Sequence, residues 1–383
     1  MFNPHCAAAV IYETFAVNPD GTEVRLHGAK RNLILDQGLN AVAGTAWANC
    51  FSYAAVGTGT RPTKRDSGTT TFTLAANVIA ANANFFQADD VGRLFKFDSG
   101  EEVYITGVTD QTHAACVYAG TVASAQGTIW YVNDTGLQAE VNRTNKCVAG
   151  AANNGCSYNA GTYTLKRTFI FDAVAAAVTF NEIGWSSSGS AGNNLFGRDV
   201  ISGGDSLSAG QQYKVVVRLL VTCSPVVATA SPNLGGAFDT TGLYALENNG
   251  KDGHEGFIAH IRADGGSEGS GALEPSIGSP CALLGNFALS PDSDAGALGG
   301  EASGSPSPTA SLSPYSNGTY TRKLTARWAI ADYVGLVYGF TIKNSIYSGP
   351  RGLTLKFTNP QTKDGEHTLT FEAILTWGRI LVN

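Results

Sequence analysis

The sequence predicts an all-β protein: two related β-sandwich-like modules, a small β-barrel-like domain inserted into the first, and a long Gly/Ser/Pro-rich connecting arm. Three observations predict it. Short runs of β-branched and aromatic residues recur along the chain, bounded by Gly, Asn and Ser clusters. Glycine reaches 46 of 383 residues and the single Met is residue 1, a bias that suits turn-rich β proteins and not helical enzymes. One pattern also returns: Gly161-Thr162-Tyr163-Thr164 recurs as Gly318-Thr319-Tyr320-Thr321, Lys166 and Thr168 match Lys323 and Thr325, and Gln212–Thr222 aligns with Glu366–Thr376. These echoes place one β-module at about 135–225 and a related one at about 315–383.

In chain order, Ala8–Val17 reads as a strand, and Pro19-Asp20-Gly21-Thr22 as the turn of a hairpin returning through Glu23–His27. Residues 32–47 read as the one substantial helix, with Asp36 as N-cap and Leu35, Leu39, Val42 and Ala43 as its apolar stripe. Phe51–Val56 is a strand running into Gly57-Thr58-Gly59-Thr60, which lacks the GK[ST] ending of a phosphate loop and reads as a turn. Residues 69–133 have a character of their own, including a hairpin about Asp98-Ser99-Gly100, and predict an inserted domain within a module of 1–68 plus 134–225. Tyr213–Thr222 (YKVVVRLLVT) is the strongest strand, stopped by Pro225. Residues 226–314 form the arm, ordered through contacts with neighbouring chains; Phe257, Ile258, Leu283, Leu284 and Phe287 are its candidate interface residues. Residues 315–383 form the second module.

Composition narrows the function classes. Charged residues are only 15%, against about a quarter in ordinary domains, so much surface is expected to be buried against other chains. A net charge of −6 argues against a nucleic-acid footprint. No apolar run approaches the roughly twenty residues needed to span a bilayer, and Met1-Phe2-Asn3-Pro4-His5 does not begin like a signal peptide, so no membrane insertion is expected. Seven Cys cannot all pair with one another, and Cys147 and Cys156 flank a short loop as either a disulfide or free thiols. Neither CxxC nor CxxH spacing occurs, which disfavours zinc.

Four separated elements carry a resemblance. Asn32-Leu33-Ile34-Leu35-Asp36-Gln37-Gly38-Leu39 is followed by a strand ending Val56-Gly57-Thr58-Gly59-Thr60 and then Pro62. Leu137-Gln138-Ala139-Glu140-Val141-Asn142-Arg143 comes next, then Glu182-Ile183-Gly184-Trp185, then Leu195-Phe196-Gly197-Arg198. In order and character these resemble tailed-bacteriophage tail-fibre and baseplate-associated proteins, over roughly residues 30–62 and 135–223. In that family the Leu-x-x-Glu-Val-x-Arg element follows sooner, so its delay marks 69–133 as the insertion. The resemblance implies a virion component, made in the host cytoplasm and oligomeric, with a homotrimer as the first expectation. Other tail or baseplate proteins would be partners, and host surface glycan a further one. It implies no catalytic residue, cofactor or metal. The alternative is a carbohydrate-binding adhesin, with Trp130, Tyr131 and Trp185 as rings for sugar stacking, although core or interface burial is the commoner fate of such rings.

Other motifs read as bland. Asp89, Asp90 and Arg93 suggest either an acid–base site or cap chemistry, and cap chemistry is the expectation. His254-Glu255-Gly256-Phe257-Ile258-Ala259-His260 has its second His too far on for a zinc helix. Asp292 and Asp294 resemble half a calcium loop with Glu301 out of register.

Overall fold

The computed structural model describes residues 5–43, 49–150, 152–159, 162–224, 227–230, 242–246, 280–283, 308–343 and 352–381. Strand accounts for 57% of it and helix for 5%, so the fold is all-β. The hairpin β1 (His5–Val17) and β2 (Glu23–Ile34) comes first, then α1 (Asp36–Val42) and β3 (Tyr53–Gly57). The insert supplies β4 (Lys64–Asp66), β5 (Phe72–Ala75), β6 (Val78–Ala81), β7 (Leu94–Phe97), β8 (Glu102–Asp110), β9 (His113–Cys116), β10 (Val122–Ala125) and β11 (Gly127–Trp130). The first module resumes with β12 (Glu140–Thr144), β13 (Gly155–Asn159), β14 (Thr162–Ile170), β15 (Val178–Ser186), β16 (Leu195–Leu207) and β17 (Gln212–Ser224). After it come β18 (Val227–Ala230), β19 (Gly242–Leu246), β20 (Pro280–Leu283), β21 (Thr309–Leu312), β22 (Thr321–Trp328), β23 (Gly335–Lys343), β24 (Gly352–Lys363) and β25 (Leu369–Arg379).

The first module is one ladder folded over at β2, in the order β12-β3-β15-β16-β2-β1-β17-β14-β13. The first part of β2 pairs with β1, and its last residues, Leu33 and Ile34, pair with Arg198 and Gly197 of β16. The halves on either side of this fold enclose a core centred on Trp185. Its indole meets Tyr12 and Phe169 from the other half, each at 6.2 Å, and Phe51 at 6.1 Å. The pairing of Leu33 and Ile34 also explains why the helix is shorter than expected. Residues 32–34 end a strand, α1 begins at Asp36, and Leu35 holds the N-cap position without a side-chain bond. Helical pattern yields there to strand pairing, because propensity is a weak prior against tertiary contacts.

The insert forms an eight-stranded sheet in the order β10-β5-β6-β9-β8-β7-β11-β4, curled around Phe72, Phe86, Phe95 and Phe97. The ladder has two ends, so the barrel-like unit is not closed. It begins earlier than expected, since β4 pairs with β11 at Lys64↔Trp130, Arg65↔Ile129 and Asp66↔Thr128.

The echoed segments occupy equivalent places. β14 pairs antiparallel with β17, and β22 pairs antiparallel with β25. Thr164 faces Leu220, whereas its echo Thr321 faces Thr376, the match of Thr222. That offset is an even number of residues, so the side-chain faces are kept. Both closing strands flank β1: β17 antiparallel along its length, β25 parallel at His5–Ala8. Cores of both modules merge, Leu324, Trp328, Phe340 and Phe371 joining the cluster that contains Trp185.

Four short stretches of the arm are described, and each contains a strand. β18 pairs with β19, β19 with β24 and β20 with β23 in a five-stranded sheet, while β21 pairs with β22 in the larger sheet, so each described strand of 226–314 pairs with its own chain. Strands pair wherever a complementary edge lies within reach, and here β24 and β23 supply it. Leu283 closes β20 opposite Gly339; Phe257, Ile258, Leu284 and Phe287 lie outside the described residues.

Candidate functional site

The elements that carry the resemblance meet at one place. β15 lies between β3 and β16, which puts Glu182 opposite both Gly57 and Val200. Its side chain is fully buried and turns toward the strands that enter and leave the insert. Glu182 Oε1 accepts the N–H of Gly59 (3.1 Å) and of Ala139 (2.6 Å), and Oε2 accepts that of Gln138 (2.8 Å). Gln138 Oε1 in turn accepts the N–H groups of Thr60 (2.9 Å) and Arg61 (2.8 Å). The glycines are required by this approach: a Cβ on Gly57 or Gly59 would lie 2.5 or 2.4 Å from Glu182 Oε1.

Arg198 completes the group. Its Nη2 reaches Glu182 Oε2 at 3.4 Å and donates to the Arg61 carbonyl, and its Nη1 donates to Asp134 Oδ2 at 2.8 Å. Arg61 binds the other oxygen of Asp134 at 3.1 Å. Two carboxylates and two guanidiniums therefore balance. Burial pulls the Arg198 guanidinium below its usual range, opposed by Asp134 and Glu182, and burial raises the Asp134 carboxyl against the pull of Arg198, Arg61 and Arg93. Beside them Glu140 and Arg143 form a two-pronged pair, both contacts 2.8 Å, and Arg143 also donates to Ser188 O and Asn194 Oδ1, each at 2.7 Å.

This arrangement holds a joint. The chain leaves through Arg61 and Pro62 and returns through Tyr131–Asp134, and Tyr131 N–H donates to Thr63 O at 2.9 Å. The carboxylates are occupied by main-chain donors and guanidiniums, which leaves them no oxygen placed as a general base toward solvent. Above the joint, Leu33, Leu35, Ala55 and Leu195 pack with Leu94 and Trp130 of the insert.

The other motifs fall out plainly. Asp90 accepts Gln87 N–H (2.8 Å) and pairs with Arg65 (2.5 Å), while Arg93 bonds Asp89 (2.8 Å) and stacks 3.6 Å over Tyr131. This is cap and packing chemistry. Trp130, Tyr131 and Trp185 are buried and offer no sugar platform. Cys147 is a free thiol opposite Phe169, while Cys156 pairs with Leu165 on the same strand. Four residues of strand separate the two, roughly 13 Å, beyond the roughly 7 Å limit of a disulfide. Among the described residues no His/Cys/Asp/Glu group fits a metal ion, and no helix is long and apolar enough to cross a membrane. The 254–260 and 292–301 motifs lie outside the described residues.

Two features escaped the sequence reading. Buried Lys363 donates to the carbonyls of Ile330 (2.9 Å), Tyr333 (2.9 Å) and Asp364 (3.1 Å), holding a turn that exposes Ile330, Val334 and Leu336, Val334 at 65%. A second polar group lies between β1, β2, β16 and β17: Tyr12 donates to Asp199 (2.7 Å), Tyr213 donates to Asp205 (2.5 Å), and His27 contacts Asp205. The bulges that gather it, in β1–β2 and in β15–β16, have no local sequence signature.

Comparison with protein-family models, curated proteins and solved structures returns no match for this chain.

Proposed function

We propose that the chain is a structural component of a tailed-phage virion, a tail-fibre, tail-tip or baseplate-attached protein that works by oligomeric assembly and attaches the particle to its host. The observation that carries this reading is the convergence of resemblance-bearing elements on the Glu182–Arg198 joint. Residues far apart in sequence build one shared network of hydrogen bonds and ion pairs there, whose chemistry is that of holding a domain in place. The exposed Ile330, Val334 and Leu336 add an apolar knuckle of the kind that oligomer contacts cover. Partners would be further copies, with a homotrimer first, together with other tail or baseplate proteins. A carbohydrate-binding adhesin is the weaker reading, since the rings suited to it are buried.

Sedimentation velocity of the purified protein, together with antibody labelling of particles by electron microscopy, tests the proposal. A discrete oligomer and label confined to the tail are expected. A monomer that never labels particles would overturn it, and saturable binding to host glycan by such a monomer would favour the adhesin.

A further inference from the structure

Besides the apolar packing of Leu94 and Trp130 on Leu33, Leu35, Ala55 and Leu195, polar bonds fix the insert to the first module at two places. One is the joint at Arg198. The other is built by the end of β25. Thr376–Arg379 pairs parallel with His5–Ala8, and Ile380 N–H continues to Ala8 O at 2.8 Å. Trp377 donates its indole N–H to Leu39 O at 2.8 Å, which ties this end to α1. Arg379 Nη1 donates to Ile34 O at 2.7 Å, and its Nη2 binds Asp36 Oδ1. The same Asp36 oxygen accepts Tyr320 OH from the C-terminal module at 2.9 Å and Tyr104 OH from the insert at 3.0 Å. Lys96 of the insert donates to Leu381 O at 3.1 Å, and the Leu381 side chain packs against the cluster of Leu33, Leu35, Leu94 and Trp130. One carboxylate oxygen thus gathers donors from the insert and from the C-terminal module, while its own main-chain N–H donates to Val132 O at 2.8 Å, at the insert's exit.

From this geometry we infer that Arg379–Leu381 is a clasp that sets the orientation of the inserted domain on the first module. The Arg198 joint holds the two connecting strands, which alone is a hinge. The clasp supplies the second attachment that stops rotation about it. Because the clasp residues end β25, seating the C-terminal module on β1 and fixing the insert are a single event. A chain with that module unseated keeps a folded insert, since the insert has its own Phe core, but the insert swings. In an assembling protein this reserves the final shape of the protomer for chains whose two modules are already joined.

Hydrogen exchange on the full chain tests it. The double variant Tyr104→Phe/Lys96→Met removes the insert's polar contacts to the clasp, together with the half-exposed Lys96–Glu102 ion pair inside the insert, and leaves Arg379 on Asp36. Amides of Asp36 and of Tyr131–Asp134 should then exchange roughly tenfold faster or more, while the insert's internal amides, such as Cys116 N–H on Asn77 O, change by less than about twofold. Arg379→Ala should give the same pattern; should it fail to fold, the double variant decides alone. Unchanged exchange at Asp36 and Tyr131–Asp134 would overturn the clasp. So would a uniform rise across insert and module, which would mean a general loss of stability and no hinge.

Discussion

Glu182 and Asp199 show what burial does to two carboxylates a short distance apart in the fold. Glu182 has three main-chain donors and Arg198. Glu182→Ala would leave the Arg198 charge and those donors without their acceptor, so a loss of about 3–5 kcal/mol is expected. Urea unfolding of the variant measures it, and a change below about 1 kcal/mol would mean that water replaces the carboxylate freely. Among the described residues Asp199 has Tyr12 and the Val200 N–H as bonded partners, and burial pushes its carboxyl up to about 6. The folded chain therefore holds this proton more tightly than the unfolded one. Stability from Asp199 is present below its unfolded value near 3.8 and is lost as pH rises through about 6. The effect is at most about 3 kcal/mol and smaller because the side chain keeps some exposure. Asp20, Glu101, Asp110 and Asp364 are shifted down by their turn hydrogen bonds and act in the opposite sense at lower pH. The wild-type Tm minus that of Asp199→Asn isolates the term: it should fall between about pH 4 and about pH 7. A flat difference would show that Asp199 is ionised throughout.

Among the elements, the insert and β2 do the most to shape the molecule. Because Thr63 O and Tyr131 N–H are hydrogen-bonded, residues 64–130 can be removed and the ends joined without stretching either strand. The shortened chain should keep the Trp185 core and its near-ultraviolet dichroism. It should melt at a lower temperature, since Leu33, Leu35 and Leu195 lose the cover of Leu94 and Trp130. Complete loss of tertiary signal would show that the joint is needed for the first module to fold. β2 acts differently: it belongs to both halves of the folded ladder, so any change in its register would shift both at once.

For the whole molecule, the division of cores decides the unfolding behaviour. Residues of the first and C-terminal modules share one cluster from Tyr12 and Trp185 to Trp328 and Phe371. The insert has a separate one around Phe72 and Phe95. Calorimetry should show two transitions, one for the joined modules and one for the insert, because cooperative units follow contiguous packing. Three transitions, with the modules melting apart, would contradict the merged core. Phe95→Ala should move only the insert's transition, by about 3–5 kcal/mol in stability.

The all-β class, the turn positions and the distinct character of the inserted stretch were legible in the sequence. The first two follow from local chemistry, β-branched runs and Gly and Asn at turns, and the third from the strand and turn pattern of 69–133, with the delay of the Leu-x-x-Glu-Val-x-Arg element pointing the same way only through the resemblance. The echo of 161–168 at 318–325 falls on β14 and β22, which take matching positions beside β17 and β25, the two strands that flank β1. Partnership was not legible. Nothing near Asn32-Leu33-Ile34 says that it will pair with Phe196-Gly197-Arg198 and end as strand, and nothing in 227–283 says that its short runs will find β23 and β24. The site follows the same rule. Glu182 and Arg198 could be picked out as residues, but their union with Gly59, Asp134 and Gln138 depends on strand order and on the insert's path. Asp36 looked like a helix cap and became the meeting point of Tyr104, Tyr320 and Arg379. Which side chains share a buried carboxylate is set by register and layer packing, and those are properties of the folded sheet, written in no single stretch of chain.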